Sequence, residues 1–228
     1  MTRKQKYVIL TVLILAATGP ALYLLSRSRT FQCFGKIVYR LDTDKKVVAL
    51  TFDDGPTERT DTILRILDRY HIKATFFLTG KEMLGHPQGV RVILAAGHGI
   101  GNHSYSHRRL MLMSPGEIRK EVDVTDSLIL ATGYKGRIYF RPPYCKKLFY
   151  LPYYLSRTNR ITATWDVEPE TGNMHDADAI LQHVKDNVRP GSIILLHAMY
   201  WERNATLQAL PHIIEWLQTN GYEFVVMN

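Results

Sequence analysis

Two adjacent carboxylates follow an apolar run in the first quarter of the chain, and their spacing suggests chemistry. Residues 46–52 (KVVALTF) lead into Asp53 and Asp54, and Gly55-Pro56 then forces a turn. Like charges this close oppose each other's ionisation, and a cation beside them removes that cost. The alternative is a solvated Asp-Asp turn between a strand and a helix. The downstream sequence bears on the choice between the two interpretations.

Two histidines favour the cation. His103 and His107 are spaced i, i+4, so one helical turn would place both imidazoles on the same face. Two histidines and one carboxylate form a metal site that leaves a position open for water or substrate. A His-x3-His pair alone is often structural, but together with Asp53-Asp54 it predicts a His2Asp site. Zinc is the default ion, and cobalt or nickel also suits these ligands.

Alternating strand and helix patterns must position these residues. Apolar and β-branched runs predict seven strands, at residues 46–52, 74–78, 98–102, 138–140, 161–165, 192–196 and 223–227. Helical periodicity lies between them, at about residues 60–70, 82–96, 115–129, 148–159 (helix or loop), 176–188 and 207–217. This alternation predicts a parallel α/β sheet or barrel. Periodicity does not distinguish a closed barrel from an open sheet.

Further polar residues follow the predicted strands. Asp53 and Asp54 follow the first strand, His103 and His107 the third, Arg141 the fourth, Asp166 and Glu168 the fifth, and His197 the sixth. Active sites of parallel α/β proteins form beyond the carboxyl ends of the strands. We therefore expect these side chains to belong to one site.

The N-terminus is set apart from this domain. No charged residue occurs from Tyr7 to Leu25, a stretch that would span about 28 Å as a helix, close to the thickness of a bilayer core. Basic residues flank it on both sides. An uncleaved membrane anchor is favoured over a cleaved signal peptide, whose apolar region is usually shorter. We expect an anchor or uncleaved signal at 1–30, a juxtamembrane segment at 31–45 and a catalytic domain at 46–228.

Charge and cysteine content exclude some classes of protein. The net charge is +8, but five positive charges lie in the first thirty residues, which leaves +3 for the remainder. Without an arginine-aromatic cluster, this balance argues against nucleic-acid binding. Cys33 and Cys145 do not make a disulfide framework, and whether they pair is left open.

The ordered motifs of this chain resemble those of the polysaccharide deacetylase family, the carbohydrate esterases with a NodB homology domain. The resemblance runs from about Val47 to the C-terminus, on TFDDGP at 51–56, HSYSH at 103–107, RPPY at 141–144 and LLH at 195–197. It implies a distorted (β/α)7 barrel that hydrolyses N- or O-acetyl groups on sugars. It also implies that Asp54, His103 and His107 bind the metal and that Asp53 is the general base.

The same resemblance implies roles for four further residues. Arg141 would keep Asp53 ionised and oriented, and the main-chain N–H of Tyr144 would bind the oxyanion. His197 would be the general acid. Leu196, with Leu195 as the alternative, would line the pocket for the acetyl methyl group. Trp201 lies in an aromatic patch that either stacks on sugar rings or packs the rim.

One motif departs from the family pattern. Many relatives carry an Asp-Trp pair after the fifth strand, whose Asp tunes the general-acid histidine. Thr171-Gly172 occupies the expected place here. We expect Glu168 or Asp166 to supply the missing carboxylate, which would raise the pKa of His197.

These observations predict a membrane-anchored, metal-dependent enzyme outside the cytoplasm. It would remove N-acetyl groups from a polymer that contains N-acetylglucosamine, such as peptidoglycan or a chitin-like glycan. Two alternatives are an O-acetyl esterase acting on envelope polysaccharide or xylan, and a catalytically weak carbohydrate-binding relative. The oligomeric state is not determined by the sequence.

Overall fold

The computed structural model describes residues 1–170 and 176–227, in which short strands alternate with helices. The strands are β1 (Ile37–Val38), β2 (Val47–Asp53), β3 (Thr75–Leu78), β4 (Gly99–Asn102), β5 (Thr162–Ala163), β6 (Ile193–Leu196) and β7 (Glu223–Phe224). The helices are α1 (Arg3–Ser26), α2 (Thr60–Arg69), α3 (Gly80–Gly85), α4 (Pro87–Ala95), α5 (Pro115–Ala131), α6 (Tyr150–Arg157), α7 (Ala177–Asn187) and α8 (Asn204–Thr219).

The strands form two parallel sheets. The larger sheet has the order β4-β3-β2-β6, with β7 paired to the start of β2, and the smaller sheet pairs β1 with β5. Single bridges continue the pairing, from Phe140 to both Asn102 and Thr162 and from Val167 to Ile194. The predicted parallel α/β arrangement is therefore confirmed.

Two predicted features of the strands are wrong in detail. Residues 138–140 do not form a strand, because only Phe140 bridges its neighbours. Conversely, β1 lies in the segment that was expected to be only juxtamembrane, and its residues pair in parallel with β5. The apolar run at residues 37–38 is too short, and its surroundings are too polar, for the sequence to predict this strand.

The core explains why β2 is central. Its side chains from Val48 to Phe52 are buried on both faces, as an uninterrupted apolar run requires. Phe52 stacks on Phe76 of β3 with the ring centroids 5.2 Å apart. One residue further along these strands, Asp53 is in register with Phe77 of β3, and Phe77 is in register with Gly101 of β4. The residues that carry chemistry therefore begin where this core ends.

Local sequence signals set several helix boundaries. Ser114 accepts a hydrogen bond from the backbone N–H of Glu117, and the Glu117 carboxylate accepts one from the Ser114 N–H, which is the predicted capping box of α5. The single helix predicted at 82–96 is instead two, α3 and α4. Pro87 opens α4 at the first helical position, which proline favours.

Helix α1 contains the charge-free N-terminal stretch. It is 24 residues long and apolar enough to cross a membrane by length and composition, and its side chains are largely exposed. Its C-terminal end is held by the domain: Ser26 is buried, and its carbonyl accepts a hydrogen bond from the backbone N–H of Lys147. Cys33 and Cys145 are both free thiols, the first exposed and the second buried.

Candidate active site

Strand β2 delivers the two carboxylates to the carboxyl edge of the larger sheet. Asp53 is the last residue of the strand and its side chain is 2% exposed. Asp54 follows with φ 68° and Gly55 with φ 75°, so the chain turns sharply there. The turn sends the two side chains to different neighbours although they are adjacent in sequence.

The loop after β4 carries the two histidines. It is not the helical turn that the i, i+4 spacing suggested, because residues 103–107 are irregular, with φ 66° at Ser104 and 56° at His107. Two side chains hold the loop. Asn102 accepts from the Ser104 N–H at 2.8 Å, and the Glu121 carboxylate of α5 accepts from the N–H groups of Tyr105 and Ser106 at 2.9 and 2.8 Å.

Asp54 and the two histidines meet at one point. Asp54 Oδ1 lies 3.4 Å from His107 Nε2 and 3.8 Å from His103 Nε2, and one donor atom from each residue lies within 4.8 Å of the others. His103 Nδ1 is 2.8 Å from the Arg141 carbonyl oxygen, so Nδ1 donates and Nε2 is left to bind an ion. Burial and the neighbouring His103 lower the pKa of His107, which favours its neutral, metal-binding form. This donor set fits a divalent transition metal.

Asp53 is paired with a buried guanidinium. Arg141 is fully buried, and its Nη1 donates to Asp53 Oδ1 at 2.5 Å and to Thr51 Oγ1 at 2.9 Å. Burial opposes ionisation of Asp53, but the Arg141 charge, aided by the nearby imidazoles, outweighs it and holds the pKa of Asp53 below its usual range. Asp53 is therefore a carboxylate at neutral pH.

The Arg141 guanidinium rests on an aromatic ring. Its centre lies 3.8 Å from the centroid of Phe77, and the strand next to Phe77 contributes Gly101. A Cβ at position 101 would come within 2.4 Å of the Phe77 ring. Glycine is thus needed there for the ring to lie beneath Arg141.

His197 is held by a carboxylate that the sequence did not single out. Glu170 Oε2 lies 2.5 Å from His197 Nδ1, and Glu170 Oε1 accepts from the His197 N–H at 2.8 Å and from Thr206 Oγ1 at 2.6 Å. Burial lowers the pKa of His197, but the hydrogen bond and charge of Glu170 dominate and raise it to about 9. His197 is a protonated acid near neutral pH.

Glu168 and Asp166, the two carboxylates expected beside His197, lie elsewhere. Glu168 Oε2 accepts from Arg29 at 2.5 Å and from the Trp165 indole N–H at 3.0 Å. Asp166 accepts from the Ser192 hydroxyl and the Ile193 N–H at the start of β6. Glu168 lines the cleft, whereas Glu170 lies in the turn that begins at Pro169 and contacts His197 from there. Thr171 and Gly172 lie outside the described residues.

Substitution of Glu170 tests its control over His197. We expect Glu170→Gln to move the basic limb of the pH–activity profile to lower pH by about one unit or more, since an adjacent opposite charge shifts a pKa by that amount. In the metal-free protein the raised pKa also stabilises the fold below pH 6.5, and this contribution is lost as pH rises through about 9. Acetate release gives the pH–activity profile, and thermal unfolding of the metal-free protein gives the pH dependence of stability.

Asp166→Asn is the matched control for this prediction, because it removes a nearby carboxylate that does not contact His197. Its basic limb should coincide with that of the unsubstituted protein. A shift in Asp166→Asn, with none in Glu170→Gln, would contradict the assignment.

The site residues line one cleft of about 610 Å³. Its lining includes the metal-site residues, Asp53 and His197, and it extends over Tyr144, whose ring centroid lies 4.8 Å from that of His107. Leu196 faces the core with no exposed surface, and Leu195 lines the cleft instead. Trp201 is 71% exposed, and the Arg59 guanidinium lies 4.2 Å from its ring centroid. Trp201 is not among the residues that line the cleft, although its neighbours Tyr200 and Arg203 are.

Comparison with known proteins finds a matching family model and several relatives. The polysaccharide deacetylase family model matches residues 40–164. A peptidoglycan-N-acetylglucosamine deacetylase of Bacillus cereus is 36% identical over 187 residues, covering 81% of this chain and 68% of the relative. A bifunctional xylanase/deacetylase of Pseudobutyrivibrio xylanivorans is 34% identical over 193 residues, covering 81% of this chain but only 30% of that relative. A solved peptidoglycan N-acetylglucosamine deacetylase structure superposes with a TM-score of 0.79 at 34% identity, covering 84% of this chain and 90% of that one.

The chain therefore belongs to the polysaccharide deacetylase family, as its motifs predicted. The match at 40–164 begins in the loop after β1 and ends just past β5. It includes the two carboxylates of β2, the histidine loop and Arg141. Glu170 and His197 lie beyond it.

Proposed function

We propose that this protein is a metal-dependent hydrolase that removes N-acetyl groups from a polysaccharide containing N-acetylglucosamine. The observation that carries the proposal is the convergence, in one cleft, of a His2Asp donor set, an ionised Asp53 and a protonated His197. An amide hydrolysis needs a base for water and an acid for the leaving amine, and these two residues differ in pKa in the required sense.

The residues of the cleft have distinct roles in this reaction. Asp54, His103 and His107 would hold a divalent ion, most simply zinc, with cobalt or nickel as alternatives. When bound, such an ion acidifies water at the site and polarises the acetyl carbonyl. Asp53 accepts the proton of the attacking water, and Arg141 keeps that carboxylate ionised and aimed.

The remaining steps involve residues on β6 and on loops beyond β2. The backbone N–H of Tyr144 stabilises the oxyanion as the carbonyl becomes tetrahedral. His197 then donates its proton to the leaving nitrogen, and Glu170 stabilises the imidazolium before the transfer. Leu195 offers an apolar surface for the acetyl methyl group.

We further propose that the domain is a (β/α)7-type barrel held outside the cytoplasm by α1. The single bridges through Phe140 and Val167, which link the two sheets, support the barrel. The length and hydropathy of α1 support the anchor. Arg27, the first residue after α1, lines the cleft, so the site would open beside the membrane surface.

The test is acetate release by the full chain in detergent micelles, supplied with zinc, cobalt or nickel. Substrates are peptidoglycan strands, chitin oligomers and O-acetylated xylan, with a chelator-treated sample as control. We expect acetate from the N-acetylated glycans and none after chelation. Release from O-acetylated xylan alone would favour esterase activity, and no release with any ion would contradict the proposal.

A further inference from the structure

The cleft has a wall that comes from outside the stretch matched by the family model. Residues 26–29 are the last residue of α1 and the three that follow it; they precede residue 40 and lie against the loop after Tyr144 and the end of β5. Three of their backbone carbonyls accept hydrogen bonds from the catalytic domain. Lys147 donates to Ser26 and Ser28, and the Thr164 hydroxyl donates to the Arg29 carbonyl at 2.6 Å. The segment is therefore held in place by contacts that do not involve the Arg27 side chain.

Two arginines of this wall, Arg27 and Arg29, line the cleft. Arg29 is occupied, since it pairs with Glu168 and its guanidinium lies 5.0 Å from the Trp165 ring centroid. Arg27 is exposed, and its guanidinium lies 5.9 Å from the Tyr23 ring centroid. Arg203, elsewhere in the lining, is also exposed. Within residues 1–170 and 176–227, no carboxylate forms an ion pair with Arg27 or Arg203.

The acidic residues of the lining are already committed. Asp53 is paired with Arg141, Glu168 with Arg29, and Asp54 belongs to the metal donor set. His197 is likewise paired, with Glu170, so among the described residues the unpaired charges of the lining are those of Arg27 and Arg203. The outer cleft is therefore cationic, and a cleft lined by one sign of charge concentrates ligands of the opposite sign.

We propose that residues 26–29 form a substrate-binding wall and that Arg27, together with Arg203, binds a carboxylate carried by the acetylated glycan. The proposal rests on the proposed function and narrows its substrate class. The preferred polymer carries carboxylates close to the acetamido group, as peptidoglycan strands do where their lactyl groups bear no peptide, and is not a neutral chitin-like glycan.

The experiment compares two forms of one polymer. Peptidoglycan glycan strands with free carboxylates are assayed beside the same strands after their carboxylates are converted to amides, so length, linkage and acetyl content are matched. We expect the ratio of kcat/KM for the anionic form to that for the amidated form to fall about fivefold in Arg27→Gln, as loss of one solvent-exposed ion pair predicts. The preference should weaken as salt is raised.

Two further variants sharpen the comparison. Arg203→Gln should lower the ratio further when it is combined with Arg27→Gln. Arg157→Gln is the matched control, because it removes an exposed arginine from α6, outside the cleft. An unchanged ratio in Arg27→Gln, or equal rates on the two polymers with the unsubstituted protein, would overturn the proposal.

Binding gives a measurement that does not require turnover. Sedimentation of both polymers with the Asp53→Asn variant should show preference for the anionic form, reduced by Arg27→Gln in the same background. If the unsubstituted protein binds the anionic strands preferentially but releases no acetate, the proposed function is wrong and anion recognition is supported. If acetate is released without any preference, the proposed function stands and this inference is wrong.

Discussion

Asp53→Asn is expected to lower kcat/KM by about a thousandfold and to leave the bound metal unchanged. The loss follows because an amide cannot take the proton of the attacking water, and a positioned general base contributes about 10²–10⁴-fold to a rate. The metal should remain because Asp54, His103 and His107 are intact. Acetate release gives the rate, and atomic absorption on the purified protein gives the metal stoichiometry.

The same change also removes the counter-charge of a buried guanidinium. Both side chains of the Asp53–Arg141 pair are almost completely buried, so Asp53→Asn should lower the free energy of unfolding by about 3 kcal/mol. The double variant Asp53→Asn with Arg141→Met removes both charges and should regain most of this stability while remaining inactive. Activity within tenfold of the unsubstituted protein in Asp53→Asn would show that another group is the base.

His103→Ala is expected to abolish both metal binding and activity. Among the described residues, His103 supplies one of the three donors of this site, and its imidazole is oriented by the Arg141 carbonyl, so alanine leaves two donors for the ion. We expect metal content below about one tenth of the unsubstituted level after dialysis, and no measurable acetate release.

His212→Ala is the matched control, since it removes an imidazole that is 62% exposed on α8 and does not line the cleft. It should retain both metal and activity. Metal at the unsubstituted level in His103→Ala would contradict the ligand assignment, whatever the activity.

The sequence predicted best those features that depend on residues close together in the chain, such as the burial of β2 and the capping box of α5. The run that became β2 had to be apolar on both faces because the strand lies between two layers, and that requirement is visible in single residues. The capping box at Ser114 is visible for the same reason, because it joins groups only three residues apart. The pairing of β1 with β5 joins residues more than a hundred positions apart, and two-residue strands carry no periodic signal.

The site was predictable by residue type and less so by partner. Asp53, Asp54, His103, His107, Arg141 and His197 lie around one cleft or directly beneath it, as their positions after strands indicated. The partner of His197 was assigned wrongly because three carboxylates occupy residues 166–170, and the direction of each depends on where the chain turns. Glu121 was missed because a glutamate on an amphipathic helix resembles any solvated residue until a loop is seen to bind it.

Gly101 shows how far the control of the base extends from the substrate. It carries no side chain, touches no reacting group and lies two strands away from Asp53, yet the Phe77 ring occupies the space that its Cβ would fill. A larger residue there would push the ring upward against the guanidinium that it supports. The resulting enzyme would keep its fold and its metal ligands, but its general base would be wrongly oriented. The absence of a side chain at residue 101 is therefore a requirement of this site.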